Sequence, residues 1–157
     1  MTNVTRKFSV ISDSDDSLTL KIAFATDDNQ TVNQHFGSAR AFAIYAVSPE
    51  SAHLVTVAEF GDLGELDNED KLVHKLELLS DCIAVYCRAC GSSAVRQLLE
   101  RHIQPLKVPE DSSIKQLVRA FQRELSEGPS NWLAKAIRRQ QGDEFGFGGF
   151  ESERWID

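Results

Sequence analysis

Apolar and polar positions alternate most cleanly over residues 18–26 (LTLKIAFAT), where Leu18, Leu20, Ile22 and Phe24 fall on one face. A period of two predicts a strand there. Residues 27–40 (DDNQTVNQHFGSAR) lose the pattern and read as a polar loop containing Gly37. A second strand is predicted over 42–47 and a third over 54–60. The short Ser48-Pro49-Glu50 link between them favours an antiparallel hairpin. A loop with Gly61 and Gly64 follows.

The period then changes. Leu72, Leu76 and Leu79 share one side of a helix predicted over 70–79. Residues 82–87 (CIAVYC) form a short continuous apolar run, suited to a buried central strand. Residues 92–101 read as a helix with Val95, Leu98 and Leu99 inward. A fifth strand is predicted over 104–108, and Pro105 places it at a sheet edge. Ser112 or Ser113 caps a further helix with Ile114, Leu117, Val118, Phe121 and Leu125 on one stripe. Gly128 and Pro129 break the chain. A short helix follows, capped by Ser130 or Asn131 and holding Trp132, Leu133, Ala136 and Ile137.

The order β-β-β-α-β-α-β-α predicts an α/β domain. An antiparallel meander joins a parallel βαβ pair in one mixed five-stranded sheet with flanking helices. The first and fourth strands are expected to be neighbours. Residues 1–17 are mostly polar and read as a mobile arm. Residues 18–127 form the α/β domain, and 128–157 a C-terminal helix with a flexible Gly- and Phe-rich tail at 142–150.

Composition narrows the function. The net charge of −7 disfavours general nucleic-acid binding, which needs a basic surface to neutralise phosphates. No apolar run approaches a bilayer span, and the N-terminus lacks a signal-peptide core, so a cytoplasmic protein is expected. Three clustered cysteines, Cys82, Cys87 and Cys90, do not suit a disulfide framework. They leave core packing, redox chemistry and metal binding open.

The strongest local feature is the stretch Tyr86-Cys87-Arg88-Ala89-Cys90-Gly91-Ser92, which leaves a buried strand and enters a helix. Ligands commonly bind at such strand ends in α/β sheets. The free N–H groups of a helix start favour anions and thiolates. Cys87 and Cys90 could place two sulfurs on one metal centre, with Arg88 supplying a positive charge. Soft ligands, N–H donors and a cation are what a negatively charged, sulfide-rich cluster requires. A structural zinc site takes four protein ligands, more than the cysteines here supply. Cys82 fits a small buried hydrophobe. The second feature is Gln34-His35-Phe36-Gly37. A neutral imidazole ligates iron well, and Gly37 allows a tight turn. If the first and fourth strands are neighbours, His35 lies at the same edge as Cys87.

Several of these segments together resemble the dinitrogenase iron–molybdenum cofactor-binding family, which includes the cofactor-binding domains of NafY and NifB-like proteins. They are LKIAFAT at 20–26, VNQHFGSARAFAIY at 32–45, EDKL at 69–72 and AVYCRACGSSAVRQLLE at 84–100. EGPSNWLAKAIRR at 127–139 matches one branch of the family more narrowly. The resemblance implies a ribonuclease H-like fold and a carrier rather than an enzyme. The cargo it implies is NifB-co, the iron–sulfur precursor made by NifB, with the NifEN scaffold as recipient. It also implies that His35 is the residue tied to cofactor binding. The expected cofactor-binding set is therefore His35, Cys87, Arg88, Cys90 and Gly91, with His35, Cys87 and Cys90 as metal ligands. A Cys87–Cys90 thiol–disulfide oxidoreductase is the alternative.

Overall fold

A computed structural model describes residues 18–59 and 68–145. Eleven elements follow in order. They are β1 (Leu20–Ala25), β2 (Thr31–Val32), β3 (Ala41–Val47), β4 (Ala52–Glu59), α1 (Asn68–Leu78), β5 (Ala84–Cys87), α2 (Ser92–Glu100), β6 (Gln104–Lys107), β7 (Ser112–Ser113), α3 (Ile114–Glu127) and α4 (Asn131–Phe145). The predicted arm at 1–17 and the tail beyond 145 lie outside the described residues. The predicted tail began at 142, but residues 142–145 continue α4.

The main sheet has the order β4-β3-β1-β5-β6. β1 pairs antiparallel with β3 (Ile22 opposite Tyr45) and parallel with β5 (Ile22 opposite Ala84, Phe24 opposite Tyr86). β3 pairs antiparallel with β4, and β5 parallel with β6. This is the mixed five-stranded sheet that the hydrophobic pattern predicts. β6, which carries Pro105, is an edge strand as expected.

Alternation along the strands divides the core between the two faces of the sheet. Ala23, Ala25, Phe42, Ile44, Val85 and Cys87 pack with Leu76, Leu79, Leu98 and Ile103 from α1, α2 and the residues just after them. Leu20, Ile22, Phe24, Val47, Ala84 and Tyr86 pack with Ile114, Val118 and Phe121 of α3 and Leu133 of α4. Phe24 stacks on Tyr86 at 4.8 Å, and each such buried aromatic contributes about 1.5–3 kcal/mol. Ser113 caps α3 by accepting from the Gln116 N–H at 3.2 Å. The helix ends at Gly128, whose φ of 149° is rarely adopted by residues with a side chain.

Three details differ from the pattern. Leu99 is 46% exposed, because Ala94 and Leu98, one turn apart, take the core side of α2. Cys82 lies in the turn before β5, not in the strand, yet is buried. β2 and β7 form a two-residue antiparallel ladder inside stretches too short for periodicity to register. At the other edge, the β3–β4 register shifts so that Val55 has no partner on β3. Such a bulge discourages further strands from adding to an edge. Among the described residues no helix is long and apolar enough to cross a membrane.

Leu98 is fully buried under the sheet. Leu98→Ala should cost about 2–5 kcal/mol of stability, read as a lower urea midpoint at an unchanged slope.

Candidate functional site

β1 and β5 run parallel, so the loops that follow them leave the same end of the sheet. The loop after β1 is tied down from its start. The buried Thr26 hydroxyl accepts from the N–H groups of Asp28 (3.2 Å) and Asn29 (3.0 Å), and donates to Asp28 Oδ1 (3.0 Å). Asp28 Oδ1 accepts in turn from the N–H groups of Gln30 and Thr31, each at 2.8 Å. These amide bonds, Gln30's first and then Thr31's, hold the Asp28 carboxyl down at about 2, below its ordinary 3.8. β2 then pairs with β7, and Asn33 bonds back to Asp27 through both its amide nitrogen (2.8 Å) and its amide oxygen (3.1 Å). The chain thus reaches Gln34 with its direction fixed.

There the two sequence motifs meet. The Arg88 N–H donates to the Gln34 carbonyl at 2.9 Å, and the Phe36 N–H donates to the Ala89 carbonyl at 2.8 Å. His35, exposed, lies between these two bonds. Phe36 anchors the loop: its ring is fully buried and lies 5.4 Å from that of Phe42. From the helix side, Lys75 Nζ donates to the carbonyls of Phe36 (3.0 Å) and Gly37 (2.6 Å). Lys75 is only 4% exposed, and that burial lowers its pKa, with Lys71 adding repulsion. Sequence reasoning placed this lysine on a helix and assigned it no task. Its signal was its position: residues 72, 75, 76 and 79 make one apolar stripe, and Lys75 is the cation on it.

On the other side of the meeting point the two thiols are unequal. The Cys87 thiol is fully buried and interacts with the half-buried Cys90. That interaction, and then burial, push the Cys87 thiol well up, while the same interaction pulls Cys90 below its ordinary value. Cys90 is half-buried at the start of α2, whose N-cap Gly91 contributes no side-chain bond. Of the two, Cys90 is the one whose ionisation is eased, and first-turn N–H groups favour negative charge there. Arg88 forms a long 3.7 Å ion pair with Glu110, and its buried Nε has no hydrogen-bond partner. A Cβ added to Gly37 or Gly91 would meet nothing within 4 Å, and neither residue has a positive φ. The predicted tight turn at Gly37 therefore needs no glycine; the missing side chains leave open room instead.

The structure thus joins the His35 loop to the Cys87–Gly91 turn by backbone bonds. It does not gather a closed cage: among the described residues no three His, Cys, Asp or Glu side chains are grouped to hold a metal ion. Cys82 stays apart in the core, its thiol raised to about 12 by burial. His53 and His74 are exposed on β4 and α1.

The profile of the family described as dinitrogenase iron-molybdenum cofactor matches residues 19–124. The chain belongs to that family. It is 51% identical to Protein NifX of Azotobacter vinelandii over 99% of both chains. It is 31% identical to Protein NifX of Sinorhizobium fredii, covering 86% of this chain and 90% of that one. Protein NifY of A. vinelandii is 30% identical over 75% of this chain and 48% of its own. The crystal structure of PH0822 shares the fold with a TM-score of 0.52 at 20% identity, covering 72% of this chain and 98% of that one. Family membership ties the chain to biosynthesis of the nitrogenase iron–molybdenum cofactor. The shared architecture is a mixed-sheet α/β domain; the ribonuclease H-like label is not carried by it.

Two outcomes follow from the unequal thiols and the loop anchor. Iodoacetamide at neutral pH should alkylate Cys90 before Cys87 and Cys82, with a rate midpoint below pH 9.0, as peptide mass mapping would show. Asp28 stabilises the fold fully above its unfolded pKa near 3.8, and this contribution is lost as pH falls through about 2. A carbon-detected NMR titration should find its midpoint near 2, and Asp28→Ala should speed amide exchange at Gln30 and Thr31.

Proposed function

We propose that this protein is a carrier, not a catalyst, for the iron–sulfur precursor made by NifB, which it accepts and passes to the NifEN scaffold. The observation that supports this reading most is the pair of backbone bonds flanking His35. They tie the backbone on either side of the exposed His35 to the turn that carries the half-buried Cys90. His35 binds iron, Cys90 binds or shields the cluster edge, and Cys87 tunes Cys90 by interacting with it. The unpartnered Nε of Arg88 and the open first turn of α2 offset the cargo's negative charge. Few ligands in an open site suit transfer, since each exchangeable contact is broken separately, whereas a four-ligand cage retains its metal.

Thiol–disulfide exchange by Cys87 and Cys90 is the second reading, favoured by two free thiols three positions apart that interact with each other. It requires a reversible two-electron dithiol couple, which a redox titration followed by mass change would reveal. For the carrier, anaerobic titration of the apoprotein with isolated NifB product should show His35→Ala weakening affinity by about tenfold or more, one lost metal contact, while circular dichroism stays unchanged. Equal affinity for wild type and His35→Ala would remove His35 from the site.

A further inference from the structure

We infer that Lys75 is a positioning residue that turns the backbone N–H groups of Gly37 and Ser38 toward the cargo, making them hydrogen-bond donors to its sulfides beside His35. The inference rests on the carrier reading. It starts from the geometry of the loop. A trans peptide unit is planar, so its C=O and N–H point in opposite directions. Lys75 Nζ draws the carbonyls of Phe36 and Gly37 to one side, at 3.0 and 2.6 Å. The N–H groups sharing those peptide planes belong to Gly37 and Ser38, and they must point away from Lys75. Neither N–H has a hydrogen-bond partner among the described residues. Both residues are exposed, and Gly37 has open space where a side chain would stand.

Two neighbouring N–H groups aimed the same way form a concave donor site for anions. Burial of the lysine makes the arrangement rigid. A cation this far from solvent must keep its acceptors, and the two carbonyls are among those it holds. Phe36, inserted in the core, and its N–H bond to Ala89 fix the other end of the same turn. Recognition of a sulfide-bearing cluster therefore needs no second metal ligand from this loop.

The test uses full-length protein and isolated NifB product under anaerobic conditions, with amide hydrogen exchange read residue by residue by NMR. Saturating wild type with the cluster should slow exchange at Gly37 and Ser38 by about tenfold or more, the protection expected from one new bond each. Lys75→Met keeps the buried stem without the charge. It should abolish that slowing and weaken cluster affinity by about tenfold, with protection at Ala23 and Phe24 retained as the sign of an intact sheet. Unchanged Gly37 and Ser38 rates on loading of wild type overturn the inference, and this arm does not depend on whether the variant folds. Wild-type slowing and affinity in Lys75→Met overturn it equally. Failure of the carrier reading looks different: wild type would then show no cluster binding in the titration, whereas the inference fails when wild type binds and the Gly37 and Ser38 rates do not change.

Discussion

The parallel pairing of β1 with β5 is the constraint on which the rest of the molecule depends. Ile22, Ala23 and Phe24 lie opposite Ala84, Val85 and Tyr86, deep between two helical layers. This register ends the two strands at the same level, so segments some fifty positions apart leave the sheet side by side. Without it, the Arg88–Gln34 and Phe36–Ala89 bonds could not form. A loop as polar as 27–40 gains little from apolar burial, so fixing it requires specific bonds. Asp28 supplies them at one end, and Phe36 with Lys75 at the other.

The chemistry of the rim follows from that scaffold. Its groups are complementary to negative charge: a guanidinium nitrogen without a partner, the uncapped start of a helix and loop amides. Its two thiols are unequal, Cys87 being fully buried and Cys90 half-buried, with their pKa values pushed in opposite directions. The carrier role proposed above would gain from this arrangement. Electrostatic and N–H contacts hold an anion broadly, and only a few groups need bond directly to metal. Stability resides elsewhere, in the aromatic and aliphatic layers on both faces of the sheet.

Much of this was legible in the sequence because the central strands are long or wholly apolar. LKIAF and AVYC leave little choice of element, and the short link of residues 48–51 after β3 forces a hairpin. Neighbouring first and fourth strands then followed from the βαβ order, and with them the approach of His35 to the Cys87 turn. What escaped was set by tertiary contacts that no local pattern encodes. The β2–β7 ladder joins residues eighty positions apart through two pairs. Leu99 looked buried because a helix with Val95, Leu98 and Leu99 offers two adjacent apolar rows, and only packing chooses between them. Lys75 gave no local sign of its task, because a lysine on a helix is normally solvated. Its carbonyl partners lie thirty-eight and thirty-nine residues away.

The most direct test of the central claim is iron anomalous scattering from crystals of the protein loaded anaerobically with the NifB product. The account predicts iron density at the rim shared by His35, Cys90 and the start of α2. Density lodged elsewhere, such as the cleft of about 720 Å³ beside Tyr45, Lys115 and Arg119 on the α3 face, would contradict it.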